Sequence, residues 1–155
     1  MEEIEIRILE PDELPYQQPD LRKDRVRIYG NPEVYTARVM ISSKVVRVVE
    51  EFSRSTNREV GGLLLGKAFR HNGSLFISII HFIAAPSNRG QSSSTHFTFT
   101  PDIWAEMLRV KDQEFDDLQI VGWFHSHPGH GIFLSEGMDT VIHKDHFSSS
   151  WHTAF

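Results

Sequence analysis

Val121-Gly-Trp-Phe-His125-Ser-His127-Pro-Gly-His130-Gly-Ile-Phe-Leu-Ser135-Glu-Gly-Met-Asp139 opens as an apolar run and passes into two histidines one residue apart. Residues 120–124 read as a buried strand, and its continuation puts His125 and His127 on the same side of an extended backbone. Two imidazoles aimed at one point suit a tetrahedral cation. Asp139, beyond the following loop, can supply a carboxylate and leave a fourth position for water, which is the layout of a catalytic zinc site. Such a pair at a strand end can equally be two satisfied polar side chains, and the surroundings decide between the two readings. Pro128-Gly129 stops the strand, Gly131 permits a sharp path, and Ser135 followed by Glu136 reads as a helix start. The chain thus turns back on itself and delivers an Asp near a helix N-terminus.

The 155 residues suffice for one domain with a real core and are too few for two to be expected. Hydrophobic residues at 39% beside 24% charged are those of an ordinary globular chain, which argues against disorder. No apolar run approaches membrane-spanning length. The formal net charge of -5 gives no general attraction to nucleic acid or to anionic membrane surfaces, so neither is expected as a partner. Met1-Glu-Glu-Ile-Glu lacks the basic start of a secretory signal, which leaves a cytoplasmic address as the expectation. Without cysteine, disulfides, a thiol nucleophile and a thiolate zinc site are excluded, and any metal must be held by His, Asp or Glu. Among the histidines, His71 beside Asn72-Gly73 reads as part of a turn, and His81 and His96 lie in strand-like runs. Only the stretch from His125 to His146 has ligand-like density.

Residues 4–9 alternate as a strand, and Pro11, Pro15 and Pro19 then break regularity, so residues 1–33 read as an N-terminal extension packed along the domain. Residues 35–41 are a strand candidate. Ser42-Ser43 offers the cap of an amphipathic helix carrying Val45, Val46, Val48, Val49 and Phe52 and ending near Thr56-Asn57. Glu59-Val60-Gly61-Gly62-Leu63-Leu64-Leu65-Gly66 is an apolar strand whose paired glycines indicate a close backbone approach or a bulge. A turn at His71-Asn72-Gly73-Ser74 joins it to a strand over residues 75–84. Residues 87–94 have loop composition and suit a solvated loop at least as well as a substrate-facing flap. His96-Phe97-Thr98-Phe99 alternates as a strand. Thr100-Pro101-Asp102 then starts a helix with cap, first-turn proline and dipole-favourable acid in order, its core stripe being Ile103, Trp104, Met107 and Leu108. The central strand with Trp123 and the histidines follows, then a helix over about residues 135–146. Helices and strands interleave, which gives α/β or α+β with a mixed sheet. Ser148-Ser-Ser-Trp-His-Thr-Ala-Phe155 reads as a loop leading into a strand that has barely begun, so the domain is expected to be incomplete at Phe155.

These blocks resemble the JAB/MPN family, the JAMM zinc metalloproteases, whose signature joins a distant Glu to His-Ser/Thr-His-Pro, a Ser and an Asp. Glu59 to Gly66 is similar to the family's Glu-bearing strand, and Phe97-Thr-Phe-Thr-Pro101 to the run before its second helix. Gly122 to Ser135 is similar to the prokaryotic-type version of its metal loop, and the blocks stand in the right order between about residues 35 and 146. The resemblance implies a single MPN/JAB-like domain over residues 34–155, a mixed sheet flanked by helices in a cytidine-deaminase-like sandwich. Its C-terminal strand would be missing here, leaving the neighbouring strand an unpaired apolar edge unless the N-terminal extension covers it. The resemblance further implies that His125, His127 and Asp139 hold one zinc ion with water completing the tetrahedron. Glu59 would be the general base, and Ser135 would steady the oxyanion. The implied reaction is hydrolysis of an amide or isopeptide bond at the extended C-terminal tail of a ubiquitin-like or sulfur-carrier protein, the tail adding as a strand to an exposed edge.

One departure stands out. Family members have two residues between the Ser and the Asp, and here Glu136-Gly137-Met138 makes three. On a regular helix one extra residue turns the Asp by about 100°. The expectation is that Gly137 absorbs it as a kink before the helix; failing that, Glu136 or His130 would be the nearest substitute ligand. Two other function classes compete. His125-Ser-His127-Pro-Gly-His130 is similar to the His-x-His-x-Asp-His of metallo-β-lactamase-like hydrolases, although Gly129 stands where that motif needs an acid and the chain is short for that sandwich. The other is a non-catalytic scaffold of the same MPN fold, against which the retention of Glu59, His125 and His127 argues.

Overall fold

A computed structural model describes residue 10, residues 13–20, residue 31, residues 37–86 and residues 97–155. Strand β1 (Ala37–Ile41) leads into helix α1 (Ser43–Arg54), and a hairpin of β2 (Gly61–His71) and β3 (Ser74–Ala84) follows. Helix α2 (Pro101–Glu114), strand β4 (Gln119–His125), helix α3 (Asp139–His146) and the short β5 (Thr153–Ala154) complete the order. The five strands form one sheet in the order β1-β3-β2-β4-β5. The β1/β3 and β4/β5 pairs are parallel, and the two pairs involving β2 are antiparallel. The sheet is therefore mixed, and β2 lies at its centre with β4 beside it, a correction to the expectation that the histidine strand is central.

Local chemistry explains the element ends. Ser42 caps α1 by accepting from the Lys44 amide at 3.3 Å. Thr100 caps α2 by accepting from the Ile103 amide, with Pro101 and Asp102 in the first turn as expected. The hairpin closes through Asn72 and Gly73, both at positive φ, the pairing that a two-residue primed turn demands.

The inner strands β2 and β4 are buried on both faces. Leu63 and Leu65 of β2 pack with Ile103, Met107, Trp123 and Phe147 on the side of α2 and α3. Leu64 and Ala68 pack with Val45, Val49, Ile77 and Phe124 on the side of α1. The β2/β4 register shifts between Leu64 and Leu65, whose partners are Gly122 and Ile120, so Val121 is bulged. That bulge resets the alternation: Val121 and Phe124 face α1, and Trp123 faces α3. Gly122 sits where β5 comes closest, because a Cβ there would lie 2.1 Å from the Thr153 carbonyl oxygen.

Several expectations are corrected. The last helix begins at Asp139, not near Ser135, and residues 136–138 form a turn ahead of it. Residues 97–100 are irregular backbone, not a strand: Phe97 and Phe99 reach the core from a loop, and the Phe97 amide donates to the Glu59 carboxylate instead of to a ladder. The strand expected from Glu59 begins at Gly61. The outer edge of β4 is not bare: Gly122 and Trp123 pair with Thr153 and Ala154, and the His125 amide donates to the Phe155 carbonyl at 3.2 Å. The described N-terminal residues lie elsewhere. Leu14 is buried in the α1-side core, and Tyr16 bridges Arg70, past the point where β4 stops accompanying β2. The strand expected over residues 4–9, the flap at 87–94 and the boundary at 33/34 lie outside the described residues. No helix among the described residues is long and apolar enough to cross a membrane.

Candidate metal centre

Pairing with β2 carries the apolar run of β4 to the surface at His125, which stands opposite Gly61. The chain leaves the sheet there, and Ser126 ties it down. The Ser126 amide donates to the Val60 carbonyl at 2.8 Å, and the Ser126 hydroxyl accepts from the Val60 amide at 3.0 Å. These bonds fix the spacing between Glu59, one residue before Val60, and the two histidines flanking Ser126. Gly61 leaves room for the Phe97 ring, since a Cβ there would lie 2.6 Å from it. The Phe97 amide in turn donates to Glu59 Oε2 at 2.8 Å.

His125 lies between two carboxylates, with Nδ1 2.9 Å from Asp139 Oδ1 and Nε2 3.2 Å from Glu59 Oε2. His127 Nε2 is 3.3 Å from the other oxygen of Asp139. One ligand atom from each of His125, His127 and Asp139 lies within 4.8 Å of the others. Asp139 is 1% exposed, the one buried charged residue in the core of the described chain. A buried carboxylate needs partners. It has two imidazoles and Ser135, whose amide donates to Asp139 Oδ2 at 2.8 Å and whose hydroxyl accepts from the Asp139 amide at 3.1 Å. Burial alone would push the Asp139 carboxyl up, but the hydrogen bonds from Ser135 and then from His125 outweigh it and hold the group below its ordinary value.

The reciprocal Ser135–Asp139 bonds are those of a capping box spread over one extra residue. The Thr140 amide reaches back to the Ser135 carbonyl at 3.1 Å, five residues rather than the four of an α-helix. The extra residue is thus absorbed by a wide turn. Gly137 lies within this turn without a positive φ, and Met138 at φ -127, ψ -61 leads into the helix.

All five expected site residues come together, with Glu59 beside His125 and Ser135 beside Asp139. The two substitutes do not join them: Glu136 is exposed, and His130 is exposed with its Nδ1 on the Pro128 carbonyl. Two nitrogens and a carboxylate oxygen converging at the end of a strand are a donor set that suits zinc. Ser126 and Phe97 are parts of the site that sequence reading missed. For Ser126 a signal existed, since alternation places its side chain on the face opposite the histidines, away from the ligand set. The Phe97 amide carried none.

Comparison with protein-family models matches residues 35–146, more than half of the chain, to JAB1/Mov34/MPN/PAD-1 ubiquitin protease. The 26S proteasome non-ATPase regulatory subunit 14 of Dictyostelium discoideum is 31% identical over 94 residues, 61% of this chain and 29% of that protein. COP9 signalosome complex subunit 5 of Candida albicans is 28% identical over 81 residues, 52% of this chain and 13% of that protein. The matched region is less than a third of either relative's length. A solution structure of a Desulfitobacterium hafniense protein superposes with a TM-score of 0.49 at 23% identity, covering 68% of this chain and 66% of that one. With the family matched across strands β1 to β4, all three helices and the loop that carries the histidines, this chain belongs to the JAB1/Mov34/MPN/PAD-1 family.

Proposed function

We propose that the chain is a zinc-dependent peptidase or isopeptidase that hydrolyses an amide or isopeptide bond at the C-terminal tail of a ubiquitin-like or sulfur-carrier protein. The observation that carries this reading is the convergence of His125, His127 and Asp139 with the Glu59 carboxylate 3.2 Å from His125. His125, His127 and Asp139 would hold one zinc ion, whose Lewis acidity lowers the pKa of water to about 7 and polarises an amide carbonyl.

The chain's own residues supply the rest. Glu59 takes the proton of the attacking water and returns it to the leaving amine. Its Oε2 is aimed by the Phe97 amide, so the carboxylate is oriented before substrate arrives. The Ser135 hydroxyl accepts from the Asp139 amide and donates to the Asp139 carboxylate, and it would turn that proton toward the oxyanion as negative charge develops there. With no cysteine in the chain, the attack needs no thiol. The family's description as ubiquitin proteases and the likeness to a proteasome subunit support a ubiquitin-like substrate class. The prokaryotic-type metal loop supports the sulfur-carrier variant of it.

Glu59→Gln is the direct test, with zinc content and cleavage of a ubiquitin-like protein carrying a C-terminal amide extension as readouts. Zinc is expected to stay stoichiometric while turnover falls by about 10²–10⁴-fold. Undiminished turnover would remove Glu59 from the mechanism, and a wild-type protein that takes up no zinc would overturn the reading as a whole.

A further inference from the structure

We infer that His143 is a positioning residue for the metal centre, acting through Trp123 on the ring of His125; this rests on the zinc reading above. Trp123 is 1% exposed, and its indole N–H donates to His143 Nδ1 at 3.1 Å. The same indole lies nearly parallel to the His125 imidazole, with ring centroids 6.0 Å apart and planes at 25°. It also stacks with Phe147 at 5.9 Å and 16°. Three near-parallel rings thus run from α3 to the metal ligand, and the middle one is fixed in its plane by one hydrogen bond.

His143 and Asp139 are four residues apart on α3, so their side chains share one helix face. Asp139 holds Nδ1 of His125 at 2.9 Å, and His143 holds the indole against which His125 lies. A single short helix therefore sets both the in-plane bond and the plane of the same imidazole. A metal ligand must keep its nitrogen lone pair directed at the ion, and groups behind the ligand that lock its orientation typically contribute 10–100-fold in metal affinity. Any acceptor would satisfy a buried indole N–H. One carried on the same helix turn as a metal ligand couples that bond to the site.

The test compares wild type, His143→Ala, His143→Gln, Trp123→Phe and the double variant His143→Ala/Trp123→Phe by zinc affinity in chelator competition. In parallel, the Trp123 indole and His125 ring resonances are followed in zinc-free protein. Zinc affinity of His143→Ala is expected to fall about 10-fold with both resonances displaced, and His143→Gln, which keeps an acceptor, to recover most of it. Because His143 acts through Trp123, His143→Ala should cost nothing further in the Trp123→Phe background. Val49→Ala, in the core on the opposite face of the sheet, controls for general loss of stability and should leave zinc affinity unchanged. Wild-type affinity and an unmoved His125 resonance in His143→Ala would overturn the inference, as would a full extra loss in the double variant or an equal loss in Val49→Ala. If wild type bound no zinc, the zinc reading would fail by itself, and the zinc-free His125 resonance would still decide whether His143 orients that ring.

Discussion

At Asp139 burial and hydrogen bonding oppose each other, and the bonds from Ser135 and His125 win. A carboxyl held below its ordinary value in the folded state contributes stability that is fully present above the unfolded value of 3.8. That contribution is lost as pH falls through the lowered folded value. The zinc-free protein is therefore expected to be more stable than Asp139→Asn at pH 6, with the gap closing below about pH 4. Urea midpoints of both proteins across that range check this; a gap that widens on acidification would contradict it. The same residue shows what a sequence can carry. His-x-His followed by an acid gave the donor set, because ligand chemistry is written in residue types. The Ser135 bonds that keep the acid charged depend on a turn that residue types do not specify.

Elements announced by their own local chemistry were legible, and those set by contacts from elsewhere were not. Thr100-Pro101-Asp102 and Asn72-Gly73 need no distant partner to favour a helix start and a hairpin turn. Phe97 and Phe99 alternate like a strand but are held in a loop by the core and by Glu59, neither of which is encoded nearby. Helix α3 is the sharpest case, since Ser135-Glu136 looks like a cap and first turn while the helix waits until Asp139. The wide turn between them makes a specific expectation. Deleting Gly137 restores two residues between Ser and Asp, the spacing at which reciprocal capping bonds close within a regular first turn. The deletion variant is expected to keep stoichiometric zinc and to melt at or above the wild-type temperature. Loss of zinc would show that the wide turn itself is required to aim Asp139.

Across the whole molecule the sheet is the instrument that gathers the centre, and its mixed character was legible where its strand order was not. A tight Asn72-Gly73 turn implies an antiparallel pair and helical crossovers imply parallel ones; which strand lies centrally depends on pairing between distant segments. The Thr153 hydroxyl donates to the Val121 carbonyl at 3.1 Å, and β5 lies close against Gly122 of the histidine strand. Gly122→Ala is expected to destabilise the protein by about 1–3 kcal/mol through that clash, with amide exchange accelerated in β5 and at His125 before the β2–β3 hairpin. Unchanged exchange at His125 would show that β5 does not steady it. The separations along the chain add one more consequence. His125 and Asp139 lie 14 residues apart, whereas His125 and Glu59 lie 66 apart. Closing the longer loop costs about 1.4 kcal/mol more in chain entropy. On the proposed function, the local ligands would therefore meet first in a folding chain, metal capture would precede the arrival of the base, and loading and competence would be separate events in time.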